Sequence, residues 1–404
     1  MPDLNEKFAQ IGVENAPGQE GRQQEEKLDI RGEPLPGTPV DFSHGDVDAH
    51  EPTPGAFEAF RKGFDRGAPQ AYTEYRGGRH TREGVAEKLA DFTGTSIDPD
   101  SELIITPGTQ GALFLAMGAL VGQGDKVAVV EPDYFANRKL TLFFGGEIVP
   151  VRMNFLETDR GSGLDLASLE KAFQSGVKLF LFSNPNNPTG AIYSPEEIRK
   201  IASLARHHNV AVIVDELYAR QIFDNRPYTH LCAQQEKPDI LVTILGPSKT
   251  ESLSGFRLGA AFGSSHVIDR MERLQAIVSL RAGGYNQPVL DTWFNEPQGW
   301  MEKRIAAHQA IRDDLLKTIR AVDGVETRAT DGGSYLFIQL PPMDVSMRDF
   351  VKIVRRLTGV AVTPGTEFGP GFTDWFRINF SQAHKAAVEA MERVLAVFER
   401  YRSR

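Results

Sequence analysis

The sequence predicts an α/β protein: a mostly parallel sheet covered by helices on both faces, joined to a smaller α+β unit. Three observations carry that expectation. Between about residues 80 and 265, short runs of Val, Ile, Leu and Phe alternate with amphipathic helical patterns, as in buried parallel strands joined by crossovers. From about residue 266 the pattern becomes helical and then mixed. The chain has 404 residues and is 41% hydrophobic, enough for two or three domains with a sizeable core.

Residues 1–40 are rich in Glu, Gln, Gly and Pro and poor in large apolar side chains. They read as a mobile tail, or as an arm that orders on another surface. PTPGAFEAFRKGF (52–64) begins the first helical pattern, with Phe57, Phe60 and Phe64 along one face. REGVAEKLADFTG (82–94) reads as a helix closed by Gly94. The strand ELIIT (102–106) precedes the helix GALFLAMGAL, and KVAVVE (126–131) and VKLFLFS (177–183) are further strands. PEEIRKIASLARHHN (195–209) is amphipathic, and the apolar runs AVIVD (211–215), DILVTIL (239–245) and RLGAAFG (257–263) follow. VIDRMERLQAIVSLRAG reads as helical, and a long helix near 295–322 links the two units. VETRAT, SYLFIQL, a helix around MRDFVKIVRRLTG, VAVTPG, FRINF and a last helix from HKAAVEAM complete the second unit.

The formal net charge of −9 argues against a generic nucleic-acid binder. A single cysteine, Cys232, excludes an internal disulfide framework and a cysteine-rich zinc site, and makes a reduced, cytosolic compartment the default. The polar start MPDLNEKFAQ shows no secretory signal, and the longest apolar stretch, 111–122, is too short to span a bilayer. A soluble protein with no membrane or nucleic-acid partner is expected.

Ligands collect at the C-terminal ends of parallel strands, so polar residues just after the apolar runs carry the functional reading. Asp215 ends AVIVD. It is either a helix cap or ion-pair member, or the partner of a protonated ring nitrogen or a metal, and Tyr218 could reach the same ligand. SNPNNPTG (183–190) is a rigid turn whose Asn187 suits a polar ligand atom. In GPSKTESLSGFRLG (246–259), Lys249 stands past a strand among small residues, with Ser248 before it and Arg257 eight residues on. A lysine there is a surface residue, an anion ligand or a nucleophile. TPGTQGAL (106–113) places Gly108, Thr109 and Gln110 at a helix N-terminus, either a simple cap or a phosphate site. Arg377 in FRINFS sits inside an apolar strand and needs an acceptor such as a carboxylate.

One ligand accounts for all five: pyridoxal 5′-phosphate, with an aldehyde for a lysine, a ring nitrogen for a carboxylate, a phosphate for N–H groups and an arginine, and an amino-acid substrate for a second arginine. In their order, NPNNPTG, D-x-x-Y, S-K, G-x-R-x-G and R-I-N-F resemble the fold type I pyridoxal-phosphate enzymes, class I/II aminotransferase (aspartate aminotransferase) superfamily, over about residues 40–404. The resemblance implies a large domain with a mostly parallel seven-stranded sheet sandwiched by helices, spanning 71–294. It implies a small domain from 41–70 and 295–404, and a homodimer with shared active sites.

It also implies roles. Lys249 would form the internal aldimine and move the proton, Asp215 would pair with the ring nitrogen, and Asn187 and Tyr218 would hold the phenolate oxygen. Arg257, Ser248, Gly108, Thr109 and Gln110 would bind the phosphate, and Tyr134 would stack on the ring. Arg377 would grip the substrate carboxylate beside Gly45 and Asn187. Tyr72, with Tyr75 as competitor, would reach the neighbouring subunit's phosphate. Arg281 is either an exposed arginine at a helix end or a ligand for a distal carboxylate in that subunit. Gly246 departs from the family's usual Ser or Thr, so Ser248, a water or a neighbouring hydroxyl would stand in. No metal is implied. The expected reaction is ping-pong transfer of an amino group between an L-amino acid and a 2-oxo acid, with glutamate/2-oxoglutarate or aspartate as one pair. A lyase, decarboxylase or oxidase on the same cofactor is the alternative, and a non-enzymatic regulator would need a DNA-binding domain that the short acidic tail does not supply.

Overall fold

The computed structural model describes residues 4–12, 28–156 and 161–403. Thirteen strands are numbered in chain order. β1 (Val40–Asp41) is short, and β2 (Leu103–Pro107), β3 (Lys126–Glu131), β4 (Glu147–Arg152), β5 (Leu179–Ser183), β6 (Ala211–Asp215), β7 (Leu241–Leu245) and β8 (Leu258–Gly263) form one seven-stranded sheet. Its order is β2-β8-β7-β6-β5-β3-β4. β8 pairs antiparallel with both β2 and β7, and the other pairs are parallel.

The alternation of side chains explains why these runs are apolar throughout. Leu179 and Leu181 share one core with Ile213, Ile244 and the helix Gly108–Leu120, while Phe180 and Phe182 face the opposite core with Val212 and Ile198. Both faces are dry, so no polar alternation survives. β4 is an edge strand and carries Pro150, which an edge tolerates. Its mixed sequence, EIVPVR, gave no strand signal, and the helices Phe135–Phe143 and Leu166–Gln174 were likewise not anticipated.

The second unit holds an antiparallel sheet ordered β12-β13-β10-β9, from β9 (Glu326–Thr327), β10 (Tyr335–Gln339), β12 (Thr363–Pro364) and β13 (Trp375–Asn379). β11 (Val360–Ala361) instead pairs parallel with β1. The helices Trp300–Arg320, Met347–Thr358 and His384–Glu399 cover the sheet, and Phe350, Phe376, Phe380 and Phe398 fill its core. The linking helix runs Trp300–Arg320, and Gly299 in a left-handed conformation precedes it. The preceding helix stops at Val278, short of the expected Gly283.

The beginning of the chain corrects the expected mobile tail or arm on another surface. Residues 28–40 are strapped along the second unit of the same chain. The Tyr401 hydroxyl donates to Asp29 O at 2.7 Å and accepts from Arg31 N at 2.6 Å, Arg400 donates to Arg31 O and Glu33 O, and Arg393 donates to Thr38 O. Backbone carbonyls make much of this attachment, with Leu28, Leu35 and Val40 packing against the second unit's core, and a composition argument does not see the carbonyl contacts. The helix Leu4–Ile11 packs on Phe135–Phe143, with Lys139 Nζ on Gly12 O at 2.7 Å. The rest of the expected tail lies outside the described residues.

Candidate active site

The order of chain entry reverses between β3 and β5, since β4 lies outside β3 while β6 and β7 extend the other way. A crevice opens at such a reversal, at the C-terminal ends of the strands. A cavity of about 240 Å³ lies there. Thr109 and Gln110 line it from the end of β2, Tyr134 from β3, Asn187 from β5, and Asp215 and Tyr218 from β6. Ser248, Lys249 and Arg257 enter from the β7–β8 loop and Arg377 from β13. Gly45 lines an adjoining recess of about 230 Å³ that shares Tyr218, Ser248 and Lys249. Segments far apart in sequence thus meet at one place.

Asp215 is aligned beside Ser183 in the β5–β6 register. One carboxylate oxygen accepts Leu217 N–H at 3.1 Å, and no cation pairs with it among the described residues. Burial raises its pKa from 3.8 to about 6. The cap reading therefore describes one oxygen and leaves the other for the cavity. Asn187 is buried; its Oδ1 accepts from Arg377 Nη1 at 3.1 Å and its N–H donates to Ser183 Oγ at 3.0 Å. Tyr218 donates its hydroxyl to Tyr335 at 2.8 Å.

Arg377 is 3% exposed and lies between the rings of Tyr335 and Phe368, at 4.4 and 4.8 Å. Its Nη2 donates to Ser43 O at 2.9 Å, while its Nε has no partner. No carboxylate among the described residues pairs with it. Lys249 likewise makes no hydrogen bond or ion pair among the described residues, and Arg257 reaches only Ser254 O. Three cations without counter-ions and one acid therefore surround one cavity. Leaving the buried Arg377 unpaired is costly, and the half-buried Lys249 and exposed Arg257 stand at the same cavity, so the site suits anions that arrive with a ligand.

The side expected to take a phosphate is made by close backbone approach. Gly108 has φ +77°, and a Cβ there would strike the Arg257 guanidinium. A Cβ on Gly259 would lie against the Thr109 amide nitrogen and 2.5 Å from Gly108 C. Arg257 itself adopts φ +53°, in the left-handed region. Ser248 donates to Leu258 O at 3.4 Å, and Tyr134 donates to Gln110 Oε1 at 3.0 Å.

Gly246 has no room for the expected hydroxyl residue. A Cβ there would sit 2.8 Å from Thr109 Cγ2 and 3.1 Å from Gly259 Cα. The Thr109 methyl fills that volume, and its hydroxyl makes no hydrogen bond among the described residues. Gly246→Ser should therefore weaken anion binding, by about 1–3 kcal/mol of overpacking strain. The check is the melting shift that inorganic phosphate gives the cofactor-free protein. A larger shift than in the unsubstituted chain would contradict this packing argument.

Tyr72 and Arg281 do not line this cavity. Tyr72 is 80% exposed, and Arg281 stacks its guanidinium over Tyr72 and Tyr75, at 5.5 and 5.3 Å, while donating to Thr73 O. Residues the sequence reading missed also line the site: Ser43, Ser183 and Tyr335. Ser183 had a signal, as the last residue of VKLFLFS at a strand end. Tyr335 and Ser43 had none, because only folding brings β10 and the segment after β1 to the cavity.

Uncompensated cations around an acid, at the C-terminal edge of a parallel sheet, define an enzyme site for a ligand with anionic groups at opposite ends. The chain belongs to the family Aminotransferase class I and II, which it matches over residues 38–394, and it is an aminotransferase. It is 28% identical to an aspartate aminotransferase of Sulfolobus acidocaldarius, across 83% of this chain and 84% of the relative. It is also 28% identical to an aspartate/prephenate aminotransferase of Thermus thermophilus, across 85% and 87%. A crystal structure of an aspartate aminotransferase from Rhodobacter sphaeroides is 55% identical, covers 99% of this chain and 100% of its own, and superposes with a TM-score of 0.94. These relatives favour transamination over the lyase, decarboxylase and oxidase alternatives. The family implies pyridoxal 5′-phosphate as cofactor. No helix among the described residues is long and apolar enough to cross a membrane.

Proposed function

We propose that the cavity holds pyridoxal 5′-phosphate on Lys249 and that the enzyme transfers the amino group of aspartate or glutamate, with 2-oxoglutarate as a matching acceptor. The observation that carries this reading is the set of unpaired Lys249, Arg257 and Arg377 around Asp215. It fits a phosphate, a carbonyl, a substrate carboxylate and a cationic ring nitrogen at once. The names of the relatives support the choice of dicarboxylic amino acids.

When bound, the cofactor supplies an electron sink for the pair released at the substrate Cα. The chain's own residues do the rest. The Lys249 amine would take the Cα proton and return it to the cofactor's former aldehyde carbon, two bonds away, as a general base and then acid. Asp215 would keep the ring nitrogen protonated, the Asn187 amide would donate to the ring oxygen, and Tyr218 would do so by turning its hydroxyl proton from Tyr335, which would then donate to it. Gly108, Thr109, Gln110, Ser248 and Arg257 hold the phosphate, with the N-terminus of the helix Gly108–Leu120 pointing at it. The Tyr134 ring closes one face. Arg377 fixes the substrate carboxylate, with Gly45 giving close backbone access from the adjoining recess. A panel of amino acids against the purified holoenzyme tests this. The visible cofactor band should bleach with aspartate or glutamate and return with a 2-oxo acid, whereas bleaching with neither would overturn the assignment.

In this reading the protein works in the cytosol as a homodimer with shared sites. Tyr72, Phe57, Phe64, Ile277, Val278 and Leu280 are exposed apolar side chains, with Ile277 80% exposed. Arg281 links the 72–75 turn to the 277–280 stretch, and Phe64 packs on Tyr285 at 5.3 Å. A patch of this kind suits a second copy. In the single chain Arg281 holds this turn, and any role toward a distal carboxylate would fall in the partner's site. The expected solution mass is about twice 44.7 kDa. Ile277→Glu should halve it and lower cofactor affinity together, because Tyr72 would lose the phosphate it reaches; an unchanged affinity in the monomer would refute shared sites.

A further inference from the structure

Asp133 is a buried carboxylate that no part of the mechanism above uses. It follows β3, is 1% exposed and has no cation partner among the described residues. Three donors converge on it: Tyr134 N–H at 2.6 Å, Ser183 N–H at 3.0 Å and the Ser183 hydroxyl. A hydroxyl has one proton and two lone pairs. With its proton committed to Asp133, the Ser183 oxygen is left to accept, and it accepts Asn187 N–H at 3.0 Å. Asn187 in turn presents its side-chain oxygen to Arg377 at 3.1 Å. A second route runs parallel: Asp133 N–H donates to Phe368 O at 3.2 Å, and the Phe368 ring lies 4.8 Å from the Arg377 guanidinium.

We propose that Asp133 is a positioning residue for the carboxylate-gripping Arg377, acting through Ser183 and Asn187. This rests on the proposed site and deepens it. A buried carboxylate without a cation is costly, and a turn alone could be built from an apolar or amide residue. Both Asp133 oxygens face N–H donors, an arrangement an amide cannot match; burial lifts the Asp133 pKa from 3.8 to about 8, and with the Asn187 backbone N–H on its oxygen the Ser183 hydroxyl directs its proton to Asp133. That polarity anchors the Asn187 backbone beside Arg377, which has no carboxylate partner among the described residues.

The test uses the holoenzyme and three variants: Asp133→Asn, Ser183→Ala and the double variant. Succinate, which has no amino group to transfer, is titrated through its effect on the visible band, and the limiting rate of the aspartate half-reaction is measured separately. Each single variant should weaken succinate binding about tenfold, equivalent to about 1.4 kcal/mol, and Asp133→Asn, which lies outside the cavity lining, should keep a limiting rate within about threefold. The double variant should be no weaker than the worse single, because both changes break one chain. Unchanged succinate affinity beside a lowered melting temperature would show a purely structural carboxylate and overturn the proposal. So would effects that multiply in the double variant. Should Asp133→Asn not fold, Ser183→Ala decides by the same affinity measurement. Failure of the underlying reading looks different: the unsubstituted protein itself would be colourless.

Discussion

Lys249→Ala is expected to abolish turnover and the visible absorbance of bound cofactor in one step. The side chain stands just past β7, half-buried and unpaired, and the neighbouring Ser248 and Thr250 are buried. In the proposed mechanism, removing it deletes both the attachment point and the base that handles the Cα proton. General acid–base roles alone contribute about 10²- to 10⁴-fold, and a residue with a second, covalent role costs more. The rate should fall at least about ten-thousand-fold. Phosphate binding should persist, because Thr109, Ser248 and Arg257 are untouched, so the variant should still melt at a higher temperature with inorganic phosphate than without it. Turnover within tenfold of the unsubstituted enzyme would remove Lys249 from the mechanism.

Asp215→Asn is expected to have the next largest effect. An amide of the same shape cannot hold a cationic ring nitrogen, and breaking a buried charge pair costs about 3–5 kcal/mol. The half-reaction should slow by roughly a hundred- to several-thousand-fold, while cofactor attachment to Lys249 survives. A pH signature accompanies it. In the cofactor-free protein burial lifts the Asp215 pKa from 3.8 to about 6. The folded state then binds this proton more tightly than the unfolded chain, so this group lowers stability as pH rises from about 4 to about 6. A cationic ring nitrogen favours the carboxylate, so this group's share of the slope should disappear in the holoenzyme and in Asp215→Asn, while the buried Asp133 and Glu251, lifted to about 8 and about 7, keep theirs. Identical slopes for the cofactor-free protein and Asp215→Asn, measured by melting between pH 4 and 7, would show that Asp215 is not the group responsible.

The residues that were readable beforehand share a property. Asp215, Asn187 and Lys249 each follow a run of apolar residues, so a polar side chain there stands out against its local background. Helix ends were readable for the same local reason: Gly94 closes its helix in a left-handed conformation, and Ser194 makes a capping box with Glu197. Asp133 escaped notice because it stands in a polar turn, EPDY, where an acid looks like an ordinary surface residue. Its burial comes from Ser183 on another strand and Phe368 on another unit. Gly246 looked like a lost contact, yet its neighbours show a space already filled by Thr109.

Local composition and spacing by themselves determined the parallel sheet, its helical cover, the strand-end ligands and the chemistry they suit, because burial of both sheet faces and rigid turns leave a mark along the chain. Folding alone decided which groups lack counter-charges, where glycines let backbones touch, and that residues 28–40 bind back onto the second unit. Those outcomes depend on distances between segments far apart in sequence. Charge compensation and steric exclusion act through space over a few ångströms, and a linear pattern carries no record of them.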